Sequence, residues 1–219
     1  MDYGFMLGDS FEYTKDAVWG KWGKWLLLFI SMIIFPVYFG YLMEVYRGTK
    51  PAPELKDWVT LFIDGIKFLI VDIIYGIPVF ILALVFFGGA LMLMASGSDV
   101  GAVAGAGTVL LGVLVIMVVG FLISLVALFG FIRFARTGSF GEAFNISAIL
   151  AHIGAVGWGP FFIALIVLWA VGVAIGLGFV AVMMIPLLGW LVALLLYPLI
   201  GIFGARYMTL VYDSAPAPA

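Results

Sequence analysis

Five predominantly apolar stretches dominate this chain, running approximately from Trp25 to Tyr46, Ile66 to Ala95, Val103 to Ile132, Trp158 to Met184 and Leu187 to Val211. About 20 apolar residues at 1.5 Å each cross the ~30 Å hydrocarbon core of a bilayer as a helix. All five stretches reach that length, four of them without argument, and the longer ones must tilt or project. They are continuously apolar, which excludes the alternating strands of an outer-membrane barrel. In lipid each backbone polar group must be satisfied within its own segment, so the α-helix remains. Of 219 residues, 66% are hydrophobic and 10% charged, against about 45–50% and 25% in a soluble domain. The expected fold is therefore all-α: a polytopic transmembrane helix bundle with about five hydrophobic spans and two or three interfacial amphipathic helices.

The interfacial segments are read from a change of period. Leu55, Trp58, Val59, Phe62, Ile63 and Ile66 recur at helical spacing, with Lys56, Asp57, Thr60 and Asp64 on the opposite face, as in a helix lying in the membrane interface. Pro51 and Pro53 precede it, where proline suits a helix start. Residues 139 to 152 repeat the design: Phe140, Phe144 and Ala148 oppose Glu142 and Asn145, and Ser139 and Glu142 have capping-box spacing. A weaker copy occupies residues 9 to 24, where Phe11, Val18, Trp22 and Trp25 share a face. Three regions result: an N-terminal interfacial segment (1–24), a single transmembrane domain (25–212) and a disordered Ala-Pro tail (213–219).

Shifting the sequence on itself by 82 residues aligns Trp58 with Phe140, Phe62 with Phe144, Pro78 with Pro160 and Val85 with Val167, which suggests duplicated helical hairpins. Stretch ends also recur: Phe39-Gly40 precedes Arg47 and Thr49, Phe129-Gly130 precedes Arg133 and Thr137, and Phe203-Gly204 precedes Arg206 and Thr209. If all five stretches cross, Arg47, Lys50, Lys56, Lys67, Arg133, Arg136 and Arg206 share one side and Lys15, Lys21 and Lys24 the other. The richer side is then cytoplasmic. A re-entrant hairpin broken near Pro36 would instead place all ten on the cytoplasmic side. The single crossing, with the N-terminus outside, is the preferred expectation because 22 apolar residues suffice to span.

Several function classes have no support. The formal net charge of −2, without a polybasic run, offers nucleic acid no electrostatic footprint. Zero cysteines exclude disulfides and thiolate chemistry, and a single histidine, His152, excludes paired-histidine metal motifs. No cleaved signal peptide is read in the first 24 residues. The expectation is no enzyme, no cofactor and no metal.

Three strings are recognisable together: PAPELKDWVTLFIDGIKFLIVDIIYGIP from Pro51, ARTGSFGEAFN from Ala135 and IPLLGWLVALLLYPLIGIFGARY from Ile185. On these the chain resembles the uncharacterised membrane family catalogued as domain-of-unknown-function family 4013, over nearly everything after Trp25. The resemblance implies a polytopic integral membrane protein, mainly archaeal, with no assigned activity and no catalytic residues to carry over.

Few residues invite a functional reading. Asp72 is the one acidic residue within an otherwise unbroken span, where a carboxylate is costly unless paired. A cluster of Asp72 with Arg133 or Arg206 is the sharpest site hypothesis, and a structural ion pair the plainer one. Trp58, Phe62, Asp64, Lys67, Phe140 and Phe144 are candidate interfacial anchors, and Asp64–Lys67 and Glu44–Arg47 have the spacing of helix-end pairs. His152 is placed at the end of an interfacial helix. Gly172 with Gly176, and Gly201 with Ala205, have close-packing spacing. The favoured function is a non-catalytic membrane-organising or assembly component of the cytoplasmic membrane, in contact with lipids and with other membrane proteins or copies of itself. The alternative is a small transporter or channel component for a lipid-like or apolar solute.

Overall fold

The computed structural model describes residues 1–185 and 188–215. Among these are nine helices: α1 (Tyr3–Val18), α2 (Trp22–Ile33), α3 (Phe35–Tyr46), α4 (Trp58–Met94), α5 (Asp99–Thr137), α6 (Phe140–Ala143), α7 (Ile146–Val156), α8 (Trp158–Met183) and α9 (Leu188–Tyr212). The fold is all-α. Four helices, α4, α5, α8 and α9, are long and apolar enough to cross a membrane. The chain forms two compact units: Met1–Leu69 with the chain from Phe129 onward, and Ile70–Leu128.

The helix starts follow local chemistry. Asp2 accepts from the Phe5 amide, Asp57 from the Thr60 amide and hydroxyl, and Asn145 from the Ala148 amide, each satisfying a donor that the first turn leaves unpaired. The expected capping box at Ser139 does not form: its side chain makes no cap bond, and Glu142 is drawn to Arg133 instead. Segment 139–152 is divided between α6 and α7. The weak N-terminal copy is divided too, because α1 ends at Val18, a turn with Gly20 at φ 71° intervenes, and α2 starts at Trp22. Phe11 and Trp22 are exposed while Val18 is buried, so they do not share a face.

The first apolar stretch does not form the expected single crossing. It breaks at Ile34, next to Pro36, into two helices of 12 residues each, about 18 Å long at 1.5 Å per residue. Lys24, at the start of α2, donates from Nζ to the Ala52 carbonyl at 3.2 Å and to Glu54 at 3.3 Å, in the segment leading away from α3. A crossing would put these groups on opposite sides of the bilayer. The stretch therefore returns to the side it left, and with four spans all ten Lys and Arg fall on one side.

Segment 54–66 is also not a separate interfacial helix. Nothing interrupts α4 from Trp58 to Met94, 37 residues, because the sequence after Ile66 holds no helix-stopping signal and Pro78 is accommodated within the span. Its faces are reversed relative to a soluble helix. Val59, Phe62, Ile63 and Ile66 point outward, whereas Leu61, Asp64 and Phe68 are buried. That inversion suits a helix whose surroundings are hydrocarbon.

In the first unit, α3 meets α4 at glycine. A Cβ added to Gly65 would lie 1.6 Å from the Pro36 carbonyl oxygen, and one added to Gly40 would lie 1.9 Å from that of Leu61. Neither helix backbone can retreat without losing the stacking of Phe68 on Phe39, Tyr46 and Phe131. Helix α9 receives the α2–α3 pair through the Trp25 indole, which donates to the Leu195 carbonyl at 2.9 Å, and the Tyr38 hydroxyl, which donates to that of Pro198 at 2.9 Å. Gly201 makes room for the Tyr38 ring, since a Cβ there would lie 2.0 Å from its hydroxyl; Ala205, one turn on, is buried. In the second unit, Phe86 packs on Gly112 and Met94 on Gly105.

Gly172 and Gly176 make no close approach: both are exposed, with open space where a Cβ would stand. The buried residues of α8, Phe161 and Ala164, lie near its start. Glycine spacing marks a surface that permits close packing and does not supply the partner.

Replacing Gly65 with Ala is expected to destabilise the protein by about 1–3 kcal/mol or more through overpacking, read as a lowered midpoint of thermal unfolding in detergent. Gly88→Ala, at a position with open space, should be neutral or slightly stabilising. Equal midpoints for the two variants would contradict the close crossing.

Candidate functional site

The polar residues of the first unit converge at the ends of α3, α5 and α9. Each helix ends with carbonyls that lack an amide donor and carry partial negative charge. Arg47, just past α3, donates from Nε to the Ala135 carbonyl in the last turn of α5 at 3.0 Å. Arg136, near the end of α5, donates from Nε to the Tyr46 carbonyl at the end of α3 at 3.3 Å. The two arginines thus cap each other's helices. Arg47 also holds Glu44 and, at 2.6 Å, Asp64, whose second oxygen takes Lys67 at 3.0 Å. Arg136 pairs with Asp213 at 2.7 Å and lies over the Tyr212 ring, which ties down the end of α9. Asp213, expected to begin a disordered tail, is therefore fixed; residues 216–219 lie outside the described residues.

A second group joins α1 to α9. The Arg206 guanidinium, its side chain only 3% exposed, bonds Asp9 at 2.6 Å, and Lys50 bonds the other carboxylate oxygen at 2.9 Å. Arg206 also lies over the Tyr13 ring at 5.0 Å, and the Tyr13 hydroxyl donates to the Thr49 carbonyl at 2.9 Å. Burial alone would raise the Asp9 carboxyl, but its bonds to Arg206 and Lys50 hold it below the usual 3.8. Burial pushes the Tyr13 hydroxyl up to about 12, so it remains a neutral donor. Burial likewise lowers the Lys24 amine, against the restoring attraction of Glu54.

The two arginines of the expected Asp72 cluster therefore have other partners: Arg133 takes Glu142, and Arg206 takes Asp9. Asp72 belongs to the second unit, where its side chain is exposed on α4. The carboxylate on Arg206 comes from α1, 197 residues away in sequence, and the one on Arg133 from α6, only nine residues on. Among the expected interfacial anchors, Asp64 is buried and bridges Arg47 to Lys67, Trp58 and Phe144 are half-buried, and Phe62 and Phe140 are exposed, with Phe140 5.0 Å from the Phe134 ring.

His152 lies within α7 and not at its end. It is buried in α7, its ring stacked 3.9 Å from that of Tyr212 and edge-on to Phe129, with Nε2 2.8 Å from the Tyr212 carbonyl. It joins α7 to the end of α9, and its Nδ1 has no hydrogen-bond partner among the described residues. Among the described residues no group of three or more metal-ligating side chains gathers.

Several members of this layer were missed in the sequence: Asp9 and Lys50, and the exchange of caps between Arg47 and Arg136. A signal was present in the recurring Phe-Gly followed by Arg and Thr. Those three motifs are the ends of α3, α5 and α9 that meet here. The threonines close the same ends, Thr137 bonding the Arg133 carbonyl at 2.9 Å and Thr209 that of Ala205 at 2.7 Å.

Breaking the Arg206–Asp9 pair by Arg206→Ala is expected to cost about 1–3 kcal/mol, because it removes a charge-assisted bond and leaves Asp9 with Lys50 as its remaining cation. Lys50→Ala, at an exposed partner, should cost no more than about 1 kcal/mol. Because the folded-state carboxyl lies below 3.8, its stabilisation is complete at neutral pH and is lost as the pH falls through that lowered value. Thermal unfolding across pH 2 to 7 checks both. Asp9→Asn should remove this part of the acid sensitivity, and an unchanged acid profile in that variant would contradict the assignment.

No curated protein and no solved structure matches the chain closely enough to count as similar. A family profile matches residues 25–185, well over half of the chain. The third recognisable string, from Ile185, lies almost wholly beyond that match, as do both members of the Asp9–Arg206 pair. This multi-pass membrane protein belongs to the family described as protein of unknown function (DUF4013).

Proposed function

We propose that this protein is a non-catalytic membrane-organising or assembly component of the cytoplasmic membrane, with its ionic layer on the cytoplasmic side. The observation that carries this reading is how the charged groups are used. Arg47, Arg133, Arg136 and Arg206 all bond carboxylates or helix ends of the same unit. The all-on-one-side distribution of Lys and Arg supports the cytoplasmic assignment. In the same unit, α1, α2 and the turn between them present Phe5, Phe11, Trp19 and Trp22 outward, with Lys15 and Lys21 among them in sequence. Tryptophan and lysine at such a boundary favour the headgroup region, leaving these faces available to lipid and to neighbouring membrane proteins.

The test is affinity purification of the full chain in mild detergent after crosslinking in cells, with the copurifying proteins and lipids identified. The expected result is a stoichiometric membrane-protein partner or self-assembly, lost in the Trp19→Ser/Trp22→Ser variant while the unfolding midpoint is retained. A partnerless monomer that moves a solute across proteoliposomes would overturn the reading in favour of transport.

A further inference from the structure

Helices α8 and α9 are pinned together at two places. Near their turn, a Cβ on Gly189 would lie 2.4 Å from the Val182 carbonyl oxygen, so the backbones nearly touch. Towards the other end, the Tyr207 hydroxyl donates to the Ala164 carbonyl at 3.1 Å. Between the pins lies a cavity of about 330 Å³, lined by Phe179, Met183, Trp190, Ala193, Leu194 and Tyr197, with Ile200 at one end. No charged side chain lines it. Of the lining residues, Trp190, Leu194 and Tyr197 are also well exposed.

We propose that this cavity is a binding site for one lipid acyl chain. The medium around α8 is the first argument, because that helix is long and apolar enough to cross a membrane and almost all of its apolar surface is exposed. Size is the second. A methylene is close in volume to a water, about 30 Å³, so a cavity of about 330 Å³ has room for a stretch of one acyl chain. A helix from a second copy, about 10 Å across with its side chains, does not enter it. Chemistry is the third: an uncharged apolar lining recognises the chain and leaves the headgroup unselected. The pins hold the groove open in advance, so binding does not have to order it. The site is independent of the assembly role, and a failure to retain lipid would leave the copurification result untouched.

The test reads lipid retention by native mass spectrometry. The full chain is reconstituted in vesicles of phosphatidylcholine or phosphatidylglycerol and then extracted into mild detergent. Wild type is expected to retain one phospholipid with either headgroup. Ala193→Phe, which fills the groove, should lose it, while Gly172→Phe, on an open face of α8, should keep it. Trp190→Ala, which removes an exposed wall, should lower retention several-fold and covers the case in which Ala193→Phe does not fold. Equal retention in wild type, the folded groove variants and Gly172→Phe would overturn the proposal. So would retention of phosphatidylglycerol alone, which would assign the binding to the headgroup.

Discussion

Two arginines that cap one another's helices hold this structure together. Arg47 supplies the donor that the end of α5 lacks, and Arg136 supplies the one that the end of α3 lacks. In a membrane protein such carbonyls cannot be left to lipid, and a guanidinium is the side chain best able to serve a carbonyl and a carboxylate together. Both arginines do so, taking Asp64 and Glu44 or Asp213 as well. The consequence is that α3, α5 and the end of α9 must finish at one level. Much of the chain's scarce charge is thereby used at these helix ends.

That layer explains the behaviour of the first apolar stretch. A helix of 22 residues could have crossed, but Pro36 lacks an amide donor and the chain breaks at Ile34. The break lets Lys24 meet Ala52 and Glu54, while Trp25 and Tyr38 satisfy themselves on backbone carbonyls beside Pro198. Proline disturbs the hydrogen-bond ladder of a helix just where the incoming donors arrive. The glycines at 40, 65 and 201 supply the space that this arrangement demands.

The readings that survived are those that depend on local composition. Span length and continuous apolarity found α4, α5, α8 and α9, and the basic residues already leaned to one side. The re-entrant alternative for 25–46 was visible in the charge distribution, but the count of apolar residues outweighed it. Readings that required knowing which way a face points did less well. For Val59, Phe62 and Ile63 the period and the outward direction toward lipid were right, but Asp64, read onto the opposite polar face, is buried between Arg47 and Lys67. His152 and Asp9 depend on partners 60 and 197 residues away, and no local period records such distances. Gly172 and Gly176 show the same limit from the other side, since spacing gives the capacity to pack and says nothing of a neighbour. The Phe-Gly motifs are the exception, for they marked the converging helix ends before any contact was known.

The central claim is that residues 25–46 turn back, so that every Lys and Arg lies on one side. The chain contains no cysteine, so a single introduced cysteine is the only thiol to label. Lys21→Cys, Lys56→Cys and Ser96→Cys, each at an exposed position, can be reacted with a membrane-impermeant maleimide in sealed vesicles of known orientation. The account predicts that Lys21→Cys and Lys56→Cys label from the same side and Ser96→Cys from the opposite one. Labelling of Lys21→Cys from the side opposite to Lys56→Cys would contradict it.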